Sequence, residues 1–318
     1  MSTALFAMIG HKFKPFLPKI SLESWLFAGS AVGLTVAFHA PLSGLIMTLE
    51  KLVKLKAKNF KNIRTWLVEK LIKLKSPNFK NTIIWSCLAL ISYAAFHETG
   101  PMFFPSDFFF ELSSLTYIIT IYTAVICGLL AVMFKATKCY LHDKIAAIKS
   151  HWWHIMPIVA GLLVATISFY GGVYSFNGGM FTTHEALVNS EILLSSPDVI
   201  ARIANTIITF ASGCAGGIIA PALAIGSGIG SVLSAITVHI DTNVFILIGM
   251  AAFLSTIFGE PITSAIIVFE TTGQSVEILP LLLCASFISL YSLRIIEKLM
   301  EYIPIPQFLK NDPKSGEI

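Results

Sequence analysis

Residues 212–231 read SGCAGGIIAPALAIGSGIGS, a glycine-rich segment that continues into an apolar helical pattern. Proline suits the first turn of a helix, so Pro221 predicts a helix start, with Gly216–Ala220 as an extended lead-in. Unpaired N–H groups at a helix N-terminus attract anions, and Gly216 and Gly217 allow a ligand to approach the backbone closely. The segment therefore predicts a weak anion site made of backbone amides. A glycine-rich helix-packing face in a membrane explains the same residues equally well.

The composition surrounding this segment is that of a membrane protein. Of the 318 residues, 55% are hydrophobic and 13% are charged, a balance far outside the soluble range. Glycines and prolines interrupt apolar runs of helical length, as in transporters with broken or re-entrant helices. These runs lie near 24–49, 82–95, 114–134, 155–172, 203–236, 243–270 and 276–296. The sequence thus predicts an all-α, multi-pass integral membrane protein.

Positive charge is concentrated in three places. Ten of the 22 Lys and Arg lie between Lys51 and Lys80, and smaller groups occupy 135–149 and 298–314. By the positive-inside rule all three regions are expected to face the cytosol, with residues 135–149 as the loop that follows a span over Thr116–Phe134. Membrane spans flank the first cluster, so we expect the lipid bilayer, and no nucleic acid, as its partner.

Two apolar segments form an internal repeat. Residues 28–50 and 248–270 match at an offset of 220, which pairs Pro41 with Pro261 and Glu50 with Glu270. We interpret these four residues as the ends of corresponding helices. Internal repeats of this kind are typical of membrane transporters.

A second repeat is a tandem duplication. EKLVKLKAKNFKN (Glu50–Asn62) recurs 19 residues later as EKLIKLKSPNFKN (Glu69–Asn81). Each copy is basic with interspersed apolar residues, so the extra copy is expected in the cytosol or on the anionic leaflet.

The sequence predicts neither an enzyme nor a resident metal or cofactor. HWWH at His151–His154 lacks a third ligand nearby, and its two tryptophans favour an interfacial belt. GSGIG (Gly226–Gly230) lies inside the expected helix, unlike a dinucleotide-binding turn. Catalytic motifs such as HExxH and GxSxG are absent. Residues 171–179, GGVYSFNGG, are expected to form a flexible link.

The chain resembles the CLC chloride channels and chloride/proton antiporters. SGCAGGIIAPALAIGSGIG looks like the family's chloride-binding Gly-x-Phe-x-Pro segment, and GMAAFLSTIFGEPITSAIIVFETT looks like the helix pair that follows it. FHAPLSGLIMTLEKL is similar to the equivalent pair in the first half. The match covers nearly the whole chain. It implies a CLC-like inverted repeat of tilted and broken transmembrane helices, a homodimer with one pore per subunit, and chloride as the transported ligand.

The resemblance also implies an anion-binding set. The motif falls on Gly217–Pro221, next to Gly216, and the family's chloride donors correspond to the amides of Ile218 and Ile219. Ile219 stands where the family usually has Phe, a change that a backbone donor survives. Tyr302 is the candidate for a tyrosine hydroxyl near the chloride, with Tyr291 as a weaker one.

The sequence departs from the family pattern in two ways that bear on function. The family's gating glutamate and chloride-binding serine precede the part that Met1–Gly10 resembles, so we expect the N-terminal helices to be missing. Antiporters carry a proton-transfer glutamate where this chain has Lys51. We therefore expect passive anion conduction by a protein of the voltage-gated chloride channel family. The alternatives are a non-conducting truncated remnant, or a chloride/proton antiporter whose true start lies upstream.

The expected organisation has five parts in a multi-pass protein of the bacterial inner (plasma) membrane. They are the end of the first repeat (1–50), a basic cytosolic segment (51–81), connecting spans (82–134), the second repeat with anion segment 213–230 (135–302), and a short cytosolic tail (303–318).

Overall fold

The computed structural model describes residues 22–53, 114–146, 155–188, 194–214, 216–237 and 241–302, together with residues 8, 12 and 87. The tandem duplication beyond Val53, the apolar run near 82–95 except for residue 87, HWWH and the C-terminal tail lie outside the described residues. The described parts contain ten α-helices: α1 (Leu22–Phe38), α2 (Pro41–Val53), α3 (Ser114–Ala146), α4 (Met156–Gly171), α5 (Met180–Val188), α6 (Ser196–Ala211), α7 (Ile219–Ser234), α8 (Thr242–Phe258), α9 (Pro261–Thr272) and α10 (Leu279–Tyr302). Short 3₁₀ turns occupy Val173–Ser175 and Val276–Ile278.

The chain divides into two compact units, and the first combines α1, α2 and most of α9. Within it, α1 and α2 approach closely at a glycine. A Cβ atom added to Gly44 would lie 2.6 Å from Thr35 Oγ1 and 2.7 Å from the carbonyl oxygen of Ala31. Small residues at such crossings let helix backbones pack without intervening side chains, as is common in membrane proteins.

The helix bounds repeat at the offset of 220 found in the sequence. Helices α1 and α8 end at Phe38 and Phe258, and α2 and α9 begin at prolines 41 and 261. Each connection starts with a left-handed residue, His39 (φ 53°) and Gly259 (φ 71°). Proline cannot continue the preceding helix and is well placed to begin the next one, which explains the break in both copies.

The second unit is built around α8. Every residue from Asn243 to Thr256 is buried, as expected of a helix that is apolar on all sides. It packs against α7, α10 and α3. Hydroxyl groups join it to α10: Ser255 Oγ donates to the carbonyl of Ser286 (2.7 Å), and Thr256 Oγ1 lies 2.6 Å from Ser289 Oγ.

The apolar helices fall into two length classes. Two segments, Leu115–Ile145 and Val276–Ile296, have the length and hydropathy to cross a membrane. The apolar helices α4, α7 and α8 have 16 or 17 residues, which corresponds to about 25 Å against a hydrocarbon core of about 30 Å. Such short apolar helices fit the sequence prediction of interrupted spans.

The sequence placed the end of a span at Phe134 and a cytosolic loop from Lys135 to Lys149. Instead, α3 continues to Ala146 as one helix of 33 residues. Residues 135–146 contain neither glycine nor proline, so nothing in the backbone ends the helix where the charges begin. The helix crosses the domain boundary expected between residues 134 and 135.

Candidate anion-binding site

The anion segment, residues 213–230, contains the N-terminus of α7, which begins at Ile219. Ile218 already has helical backbone angles (φ −87°, ψ −15°), and the amide of Ala222 donates to its carbonyl at 3.0 Å. Pro221 therefore occupies the third helical position, and the prediction that it starts the helix was wrong by two residues. The early start is possible because the first-turn N–H groups have no intrahelical acceptor, so a proline there breaks no hydrogen bond.

The space in front of the predicted donors is open. The amides of Ile218 and Ile219 donate to no described residue. Gly216 and Gly217 are exposed, and a Cβ atom added to either would meet no described atom within 4 Å. The amides carry the partial positive charge of the helix N-terminus. They can therefore receive an anion without first breaking a hydrogen bond to the described part of the protein.

The later glycines of the same segment have a different role. A Cβ atom on Gly226 would lie 2.5 Å from the carbonyl oxygen of Gly249, and one on Gly230 would lie 2.3 Å from that of Phe245. These residues bring the backbones of α7 and α8 into contact. The helix-packing interpretation thus describes 226–230, while Gly216 and Gly217 pack against nothing that the structure describes.

Two other helix N-termini, those of α2 and α9, are occupied by carboxylates. Glu270 in α9 accepts hydrogen bonds from the amides of Leu42 (2.8 Å) and Ser43 (2.6 Å) at the start of α2. Glu50 in α2 accepts from the amide (2.7 Å) and hydroxyl (2.6 Å) of Thr263 at the start of α9. Helices α2 and α9 therefore each supply the carboxylate that caps the start of the other.

Carboxylates also lie at the starts of α6 and α8. Asp198 accepts from the amide of Ser195 at 3.2 Å, and Asp241 accepts from that of Asn243 at 3.1 Å. The N-cap residue of α7 makes no side-chain cap hydrogen bond. Helix α4 also begins without one, but the sequence before it lacks the glycines that expose the backbone before α7.

The reciprocal caps give a stability prediction. Replacing Glu50 or Glu270 by Gln removes the charge that faces the N-terminal amides, and each change is expected to cost about 1–3 kcal/mol of stability. Thermal unfolding of the purified protein in detergent measures this, with Asp143→Asn on the exposed end of α3 as the control. Glutamine variants as stable as this control would show that neither carboxylate holds the helix pair.

Sequence reasoning missed Arg202 in α6, which is only 3% exposed. Its side chain donates to carbonyls of the link between α4 and α5, including those of Phe176 (3.0 Å) and Asn177 (3.4 Å). The link was predicted to be flexible, but the structure holds it through these hydrogen bonds. Asp198, Arg202 and Asn205 recur at helical spacing, a pattern that in a membrane protein could have indicated a buried polar face.

The remaining candidates are less well placed. Tyr302 is the last residue of α10, and its side chain lies outside the described part of the chain. Tyr291 on the same helix is 61% exposed. Lys51 lies in the last turn of α2. In the described segments, no three His, Cys, Asp or Glu residues are grouped so that they could hold a metal ion.

Comparison with known proteins supports the resemblance. The family described as voltage gated chloride channel matches residues 1–294. H(+)/Cl(-) exchange transporter ClcA of Yersinia pestis biovar Antiqua (strain Angola) is 25% identical over 275 residues, which is 82% of this chain and 53% of the relative. ClcA of Yersinia pseudotuberculosis serotype O:3 (strain YPIII) matches to the same extent. The chain thus spans about half the length of these curated relatives.

A solved structure shares the fold. The crystal structure of a CLC-type fluoride/proton antiporter superposes with a TM-score of 0.65 at 18% identity, covering 91% of this chain and 68% of that one. This likeness and the helices described above confirm the prediction of an all-α membrane fold of the CLC type. The chain belongs to the voltage gated chloride channel family.

Proposed function

We propose that this protein carries chloride or another small anion across a membrane, and that it binds the anion at the N-terminus of α7. The observation that carries the proposal is the open backbone at Gly216 and Gly217, in front of amides that donate to no described residue. The amides of Ile218 and Ile219 are the proposed donors. They offer partial charges only, so the anion is held weakly enough to leave again, as transport requires.

The capped helices support this choice of site. Carboxylates of the protein already occupy the starts of α2, α6, α8 and α9. An external anion would have to displace a covalently tethered one at each of these. At α7 an anion would displace no carboxylate of the described residues, so binding there has the smaller cost.

We propose passive conduction rather than exchange with protons. By the resemblance to the CLC family, Lys51 occupies the position at which the antiporters carry a proton-transfer glutamate. Proton paths through membranes are built from chains of groups such as carboxylates and histidines that can take up and release a proton, and Lys51 supplies no carboxylate. Glu50 lies one residue earlier, but its carboxylate is engaged by Thr263.

Proton-coupled exchange is the second candidate. The names of the relatives favour it, since ClcA is an H(+)/Cl(-) exchange transporter and the matched structure is a fluoride/proton antiporter. We further propose a homodimer in the bacterial inner membrane, with the basic end of α3 on the cytosolic side.

Flux measurements on reconstituted liposomes separate the candidates. With a chloride gradient and no pH gradient, we expect chloride efflux at a chloride electrode without uphill proton movement at a pH electrode. Empty liposomes and liposomes loaded with fluoride serve as controls for leak and for anion preference. Proton uptake driven by the chloride gradient would replace conduction by exchange, and absence of any anion flux would contradict transport by this chain.

A further inference from the structure

Arg202 is a buried cation whose hydrogen bonds to described residues go to neutral oxygens. Its Nε donates to the carbonyl of Tyr174 (2.9 Å), and its Nη2 donates to the carbonyls of Tyr174 and Phe176 and to the hydroxyl of Thr182 (2.6 Å). Burying a charge costs several kcal/mol unless its donors are satisfied. Because these oxygens satisfy the guanidinium, its position is fixed by several contacts at once.

These contacts hold one short segment, the α4–α5 loop (residues 172–179). Asn205, one turn after Arg202, donates to the carbonyl of Ser175 (3.1 Å) and to the hydroxyl of Ser168 (2.9 Å). Gly172 adopts φ +84°, and a Cβ atom there would lie 2.7 Å from Asp198 Oδ1. The polar face of α6 formed by Asp198, Arg202 and Asn205 therefore contacts the loop along its whole length.

The far end of the α4–α5 loop lies against the first turns of α7. Gly179 adopts φ +92°, and a Cβ atom there would lie 2.5 Å from the Cβ of Ala224 and 3.2 Å from the carbonyl oxygen of Ala220. The same added atom would lie 3.1 Å from Arg202 Nη1. Gly179 thus lies between the guanidinium of Arg202 and the first turns of α7, and the space there is too small for a side chain.

From this geometry we infer that Arg202 is a positioning residue for the anion site at the N-terminus of α7. It keeps the α4–α5 loop against the turn that contains the proposed donors, and it adds a full positive charge to a site whose own donors carry partial charges. In a low-dielectric surrounding, this charge is screened little by salt. The inference rests on the proposed function of the α7 N-terminus.

The test measures chloride affinity and thermal stability on the same purified full-length chain. Arg202→Gln is expected to raise the Kd for chloride about tenfold in calorimetry, equivalent to ~1.4 kcal/mol. Arg202→Lys keeps the charge but loses the planar fork, so its Kd is expected to rise only about threefold. Asn205→Ala is the matched control, since it removes a hydrogen bond to the loop at Ser175, away from the contact between Gly179 and α7, and removes no charge. It should lower the unfolding temperature and leave the Kd within about twofold of the wild-type value.

The outcomes are distinguishable. Wild-type protein that binds no chloride would reject the proposed function, and the role of Arg202 with it. Wild-type binding combined with an unchanged Kd in Arg202→Gln, or equal shifts in Arg202→Gln and Asn205→Ala, would overturn the inference alone. If Arg202→Gln does not fold, Gly179→Ala tests the contact between the α4–α5 loop and α7 by changing the loop instead of the arginine. That variant displaces the loop while Arg202 is retained, so an unchanged Kd would again contradict the inference.

Discussion

Replacing Gly230 by valine is expected to destabilise the protein by more than about 3 kcal/mol and to leave little folded material after solubilisation. A Cβ atom at this position would lie 2.3 Å from the carbonyl oxygen of Phe245 and 2.8 Å from the Cα of Ile246. Both atoms belong to the backbone of α8, so no side-chain rotation relieves the contact. Valine adds two further methyl groups to the same crowded space, and the two helices must separate to admit them.

A graded series makes this prediction specific. A Cβ atom added to Gly228 would lie 2.7 Å from Val199 Cγ2, the end of a side chain that can move, so Gly228→Ala is expected to cost about 1–2 kcal/mol. A Cβ atom added to Gly161 in α4 would meet no described atom within 4 Å, and Gly161→Ala should be neutral or slightly stabilising. Size-exclusion profiles and unfolding temperatures in detergent rank the three variants. A Gly230→Val protein as stable as Gly161→Ala would contradict the close contact between α7 and α8.

The packing of α8 explains why the effect should be large. This helix contacts α7, α10 and α3, and its ring at Phe253 lies 5.8 Å from that of Phe134. A shift of α8 away from α7 would disturb the other contacts as well, because close-packed interiors transmit strain. The glycines of 226–230 therefore determine where α7 lies, and through it where the proposed anion site begins.

Much of this architecture follows from local sequence rules. The prolines at 41 and 261 begin helices for the steric reasons that make proline a helix breaker. The ends of α1 and α8 and the starts of α2 and α9 match at the offset of 220 found in the sequence. The family resemblance and the all-α membrane fold are both confirmed. The start of α7 was predicted less accurately, because the rule for proline allows several positions. Proline is tolerated throughout a first turn, so Pro221 could not fix the start of α7 to the residue.

Other features depend on partners that the linear sequence does not reveal. Glu50 and Glu270 were predicted to be helix-end acids, and the helices that contain them continue to Val53 and Thr272. That each acid caps the helix containing the other depends on the three-dimensional pairing of α2 with α9. Arg202 was overlooked because its acceptors are backbone carbonyls, which every sequence contains. The charges after Phe134 suggested a loop, yet lysines extend readily from a helix that continues beyond an apolar span.

Gly217→Val is expected to abolish chloride binding while leaving the fold intact. The added side chain has room, since a Cβ atom at Gly217 meets no described atom within 4 Å and the residue does not require a left-handed backbone. In the structure, therefore, the substitution neither strains the chain nor separates two helices. The valine methyl groups instead fill the open space in front of the amides of Ile218 and Ile219. An anion must enter this space to come within hydrogen-bond distance of the backbone, so the valine blocks binding.

Two measurements on purified protein decide this prediction. Calorimetric titration with chloride should show a Kd raised at least about tenfold, or no measurable binding, while the unfolding temperature stays close to that of the wild type. Ile219→Phe is the matched control, because it enlarges a side chain in the same turn and keeps the backbone N–H, so chloride binding should persist. Equal chloride affinity in the valine variant would remove Gly217 from the site. A large loss of stability would instead assign Gly217 to helix packing, as for Gly226 and Gly230, and the anion would then have to be sought at another part of the chain.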